Sequence, residues 1–163
     1  MRKGYAGAGA PIVNQSLRVA TEDLLSADPE CRRQQAPAVF AALDPTYRQL
    51  LVERLLHQSR SKRVATGRAA AASLADLGPA AVPVLIGKLF RARTEEGQLC
   101  IVELLGAIGG NVPPATRGEI QMDLLIALRR ARSEEVAAAI AATQQQLRRM
   151  DGEMSQERAA PVT

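Results

Sequence analysis

Tryptophan is absent from this 163-residue chain, histidine occurs once, and cysteine, tyrosine and phenylalanine occur twice each. Each scarcity narrows the chemistry. The lone His57 has no second ligand or nucleophile at catalytic or metal-binding spacing, and it reads as a surface or packing residue late in a helix. Cys31 and Cys100 form no redox or zinc motif. Cys100 sits in the most apolar stretch and is expected in the core, while Cys31, beside Arg32-Arg33, reads as an ordinary loop cysteine. With Tyr5, Phe40, Tyr47 and Phe90 as the whole aromatic set, stacking of nucleic-acid bases is barely available. No run approaches the length of a membrane span, and Met1-Arg2-Lys3-Gly4-Tyr5 leads into no apolar signal core, so a cytoplasmic protein without membrane association is expected. Gly4, Gly7 and Gly9 follow no strand and precede no Lys-Ser/Thr pair, so they are not a phosphate cradle. No cofactor and no metal are expected.

Apolar residues make up 47% of the chain and charged residues 23%, which suits one folded domain with a real core. Between the ends nearly every segment has helical period, in the order 16–26, 36–43, 45–59, 62–77, 80–92, 95–108, 115–131 and 134–149. Asp44-Pro45 reads as an N-cap followed by the first helical residue; Gly78-Pro79, Gly109-Gly110 and Pro113-Pro114 are breaks. Residues 1–14 read as a flexible arm, 15–150 as a helical domain and 151–163 as a disordered tail. Pro29 and Pro37 interrupt the pattern before 43, so 16–43 reads as a helical cap.

From residue 45 the helices come in pairs, and the pairs repeat. Leu74-Ala75-Asp76-Leu77-Gly78 returns 31 residues later as Leu105-Gly106-Ala107-Ile108-Gly109. Arg91-Ala92-Arg93-Thr94-Glu95-Glu96 returns 39 residues later as Arg130-Ala131-Arg132-Ser133-Glu134-Glu135. Helix 95–108 is apolar nearly all round, which only a helix with neighbours on both sides requires. A two-helix unit cannot bury its own face, so the expected fold is all-α: a short α-solenoid of stacked antiparallel helix pairs. Leu85, Leu89, Val102, Leu105, Leu124 and Leu128 are its expected core.

The run Ser73-Leu74-Ala75-Asp76-Leu77-Gly78-Pro79-Ala80-Ala81-Val82-Pro83-Val84-Leu85-Ile86 resembles the junction between HEAT-like repeats, especially the short repeats of phycobilisome lyases. The resemblance covers about 45–150. It departs at the intra-repeat turns, which are Arg-Ala-Arg instead of Asp-rich, and at Gln98, Gly67 and Ala137, where arginine is common. It implies a stacked helical repeat fold. Bilin-lyase-type activity is a third alternative resting on the resemblance alone. HEAT-like diiron hydroxylases rely on His-Glu pairs, and this chain has none.

Eighteen arginines stand against three lysines, and the net charge is +4. Each intra-repeat turn is basic, with Arg60, Lys62 and Arg63 in the first, Arg91 and Arg93 in the second, and Arg130 and Arg132 in the third. Side by side, such turns would form a ridge able to contact phosphates. Capping and helix-dipole compensation alone also ask for these residues. Arg68, Glu103, Gln145 and Arg149 fall on the second helices and mark a concave binding face; Glu103, inside an apolar run, is expected to face solvent. The leading expectation is a non-enzymatic scaffold that binds a partner protein segment on that face. Nucleic-acid backbone binding through the ridge is the alternative, and self-association is expected, if anywhere, through the terminal helix 134–149.

Overall fold

The structure, a computed structural model, describes residues 10–26 and 28–159. The described residues form eight α-helices, one 3-10 turn and no strand, so the fold is all-α. The chain divides into two compact units, the first ending at Leu74 and the second beginning at Ala75.

The first unit holds α1 (Ala10–Ser26), α2 (Pro29–Ala42), α3 (Pro45–Ser59) and most of α4 (Val64–Asp76). Helix α1 begins inside the stretch expected to be an arm; residues 1–9 lie outside the described residues. Helix α2 starts seven residues earlier than the periodicity suggests, because Pro29 is a starter and not a breaker. The Asp28 carboxylate accepts from the Glu30 and Cys31 amides at 3.1 and 3.3 Å, and Pro29 occupies the first turn, where no amide donor is needed. Cys31 is therefore an exposed helical residue and not a loop cysteine. Pro37 lies inside the helix and withholds one backbone donor. Asp44 caps α3 as expected, accepting from the Thr46 amide at 2.9 Å. Arg48 ties α3 back to the end of α2: its Nε donates to the Leu43 carbonyl at 2.9 Å, its Nη2 donates to the Ala41 carbonyl, and its guanidinium lies 5.9 Å from the Phe40 ring centre. Phe40, Leu51, Val52, Leu55, Ala70 and Leu74 are buried in this unit, and Ser73 Oγ donates to the Leu24 carbonyl at 3.2 Å, joining α4 to α1.

The second unit opens with Gly78, whose φ of 77° favours glycine, and a single 3-10 turn at Pro79–Ala81. Then follow α5 (Val82–Arg91), α6 (Glu95–Gly109), α7 (Pro114–Leu128) and α8 (Glu134–Ala159). Helix α6 packs against α5, α7 and α8, as its all-round apolar character requires. Ile101, Val102, Leu104, Leu105 and Ile108 are buried along it. Leu85 and Leu89 of α5, Leu124 of α7, and Val136, Ile140 and Leu147 of α8 complete this core. Leu128, expected in the core, is only half-buried, at the last residue of α7. Gly109 is where α6 meets α8: a Cβ there would collide with the Leu147 side chain.

Helix α8 runs to Ala159, past the point where a disordered tail is expected; residues 160–163 lie outside the described residues. The cause is Arg117, a buried residue of α7. Its Nη1 meets Asp151 Oδ1 at 2.5 Å and approaches Met154 Sδ at 3.7 Å, and Gln121 Nε2 donates to Asp151 Oδ2 at 2.9 Å. These contacts hold the Asp151–Met154 turn of α8 against α7.

Candidate functional site

The basic turns divide between the two units. Arg60, Lys62 and Arg63 are exposed in the α3–α4 connection of the first unit, as is Arg68 on α4. Arg60 caps α3, with its amide donating to the His57 carbonyl at 3.3 Å, and the Arg63 amide donates to Ser61 Oγ at 3.2 Å. His57 itself is exposed in the last turn of α3.

In the second unit the structure brings the other two turns together, through three contacts between residues 40 apart. Arg132 Nε donates to the Ala92 carbonyl at 3.3 Å. The Arg130 guanidinium lies 5.5 Å from the Phe90 ring centre. Glu135 shares a side-chain hydrogen bond with Glu95; that bond, the Glu95 charge and slight desolvation hold the Glu135 carboxyl above its ordinary value. Thr94 and Ser133 cap the two following helices, accepting from the Gly97 amide at 3.1 Å and the Val136 amide at 3.2 Å. Arg91, Arg93, Arg130 and Arg132 are all exposed on these turns.

The capping role and the charge role therefore coexist. The carboxylates that open α6 and α8 stand beside the arginines that close the helices before them. Between the two turns lies a pocket of about 180 Å³, with Leu89, Phe90, Gln98, Arg130, Arg132 and Ile140 in its wall. Gln98 is buried, and its Oε1 has no hydrogen-bond partner among the described residues. The arginines offer planar donors to an anion.

Of the residues marked on the second helices, Glu103, Gln145 and Arg149 fall on two surface grooves of the second unit, and Arg68 lies apart on α4 of the first. Glu103 is exposed, as expected, and lines a groove of about 450 Å³ with Glu95, Glu96, Leu99 and Cys100. Cys100 is thus half-buried at a groove wall and not in the core. Gln145 and Arg149 are exposed on α8 and line a second groove of about 410 Å³ with Gln146, Met150 and Glu153. The α6 groove was within reach of the sequence: Glu96, Leu99, Cys100 and Glu103 have the i, i+3, i+4, i+7 spacing of one helix face. The all-round apolar character of the helix hid it, since the sequence does not say which apolar face stays uncovered.

Among the described residues no three His, Cys, Asp or Glu side chains gather closely enough to hold a metal ion, and no single helix is long and apolar enough to cross a membrane. No family model matches the chain, and no curated protein matches it.

Proposed function

We propose that this chain is a non-enzymatic interaction module of HEAT-like character, which takes a segment of a partner protein along the exposed face of α6. The observation that carries this reading is the composition of that face. Leu99 and Cys100 make an apolar floor, and Glu95, Glu96 and Glu103 rim it with negative charge. Such a groove suits an amphipathic helix with apolar anchors flanked by lysine or arginine. The α8 groove, with Gln145, Gln146 and Arg149, adds polar groups suited to backbone and side-chain hydrogen bonds. The test is a pull-down from native lysate with the wild-type chain and with Glu96→Lys/Glu103→Lys. Both substitutions are exposed and should leave the thermal midpoint nearly unchanged. A partner held by the wild type and lost by the reversed chain supports the reading; a partner held equally by both overturns it.

Phosphate-backbone binding through the basic turns is the second reading. Its support is the approach of the 91–93 and 130–132 turns to one another. It ranks below the first because Arg130 and Arg132 are already engaged by Phe90 and the Ala92 carbonyl.

A further inference from the structure

Helix α7 has two apolar faces, and only one of them is covered by the described residues. Its inner face buries Arg117, Ile120, Leu124 and Ala127. Its outer face leaves Met122 60%, Leu125 41% and Ile126 42% exposed. At 100° per residue these three share one stripe with Gly118, Glu119 and Arg129, all exposed. Large apolar side chains gathered on one exposed stripe mark a contact surface more often than chance exposure does.

The charges on the stripe say what the second helix is. Glu119 stands at one end and Arg129 at the other, placed symmetrically about position 124, and neither has an ion-pair partner among the described residues. If the same helix is laid antiparallel across the stripe, with a two-fold axis at position 124, Glu119 of each copy faces Arg129 of the other. Met122 then faces Ile126, and the Leu125 side chains flank the axis. The one register that sets Glu119 against Arg129 thus also sets Met122 against Ile126, as a closed two-fold dimer requires, because each residue must suit its opposite number in both directions. Helix α8 offers no equivalent stripe, since Val136, Ile140, Thr143 and Leu147 are buried within the unit.

We propose that the outer stripe of α7 is a homodimer interface, formed by antiparallel pairing with α7 of a second copy and registered by reciprocal Glu119–Arg129 ion pairs. A 15-residue helix is about 22 Å long, so the contact buries less than the roughly 800 Å² per partner of a standard interface. The dimer is accordingly a reversible one.

Sedimentation equilibrium of the full chain from about 5 to 500 µM tests this. The average mass should rise from that of the monomer towards twice that value. Met122→Glu should hold the chain monomeric. Glu119→Arg alone and Arg129→Glu alone each place two like-charged pairs across the contact and should weaken association by about tenfold or more. Combining them exchanges the charges and should restore association to near the wild-type value. All these positions are exposed, and unchanged circular dichroism melts would show that the fold is kept. A chain monomeric at 500 µM would leave the stripe to some other partner and overturn the proposal. So would a dimer indifferent to the single reversals, or one that the double reversal fails to restore.

Discussion

Arg117 is 3% exposed at its side chain, yet each of its guanidinium nitrogens has an acceptor. Nε donates to the Gly109 carbonyl at 2.8 Å, Nη2 to the Val112 carbonyl at 3.2 Å, and Nη1 to Asp151. One side chain thus satisfies the end of α6 and the connection into α7 while anchoring the last turns of α8. Arg117→Ala would strand two buried carbonyls and take from Asp151 its arginine partner, and should cost about 3 kcal/mol or more in denaturant unfolding. Arg117→Lys should recover little, because an ammonium cannot reproduce the planar fork. A loss under about 1 kcal/mol for the alanine variant would show that the network is not structural. Asp123 makes a pH-dependent case. Burial, and secondarily the charge of Glu119, raise its pKa above the ordinary 3.8. A raised folded-state pKa penalises the ionised form in the folded chain alone. That penalty is complete above the raised value and vanishes once the pH falls below 3.8. Asp123→Asn should therefore melt higher than the wild type at pH 7, and the two melting curves should converge as the pH falls through the carboxylate range. Equal midpoints at pH 7 would contradict this.

Helix α6 is the element on which the second unit depends. Leu105 is fully buried at its centre, with α5, α7 and α8 packed around the helix. Leu105→Ala should cost about 2–5 kcal/mol and lower the thermal midpoint by about 5–15 °C. A shift too small to resolve would remove α6 from its central place. Helix boundaries show which parts of an element are local. Helices α3 and α6 follow the sequence to within a residue, because Asp44-Pro45, Thr94 and the glycines after Ile108 cap or break the chain through their own bonds. Helix α2 begins earlier than its periodicity suggests because Asp28 and Pro29 act together as a start, and a proline taken alone reads as a stop. Helix α8 runs on because of a residue 34 positions away, Arg117, which no window along α8 contains. The outer stripe of α7 was written in the sequence, but a helix with apolar residues on two faces does not announce which face its neighbours will leave bare.

For the whole molecule, the basic turns set the sharpest comparison between the two functional readings. The variant Arg91→Ala/Arg93→Ala/Arg130→Ala/Arg132→Ala should fold normally, since these residues are exposed. If the turns grip phosphates, wild-type affinity for a generic DNA duplex should fall with salt at a log–log slope of about −0.9 for each phosphate neutralised, and the variant should lose binding. A partner segment in the α6 groove, anchored on Leu99 and Cys100, should respond far less to salt. We expect only weak, non-specific duplex binding at low salt. Tight binding near physiological salt that the variant abolishes would put the nucleic-acid reading first.

The sequence by itself determined the all-α class, the order of the helices, the caps of α3, α6 and α8, the core of α5 and α6, and the exposure of Glu103. These follow from interactions within one or two turns of chain, where periodicity and capping act directly. It also carried the echo between the 91–96 and 130–135 segments, which the structure meets as contacts between residues 40 apart. The tertiary structure alone decided the division at Leu74, the burial of Arg117 among backbone carbonyls, the length of α8, the half-burial of Cys100 and the exposure of the α7 stripe. The physical reason is the same in each case. Burial and pairing depend on which surfaces meet after the helices have formed, and an amphipathic pattern specifies that a face must be covered without specifying what will cover it.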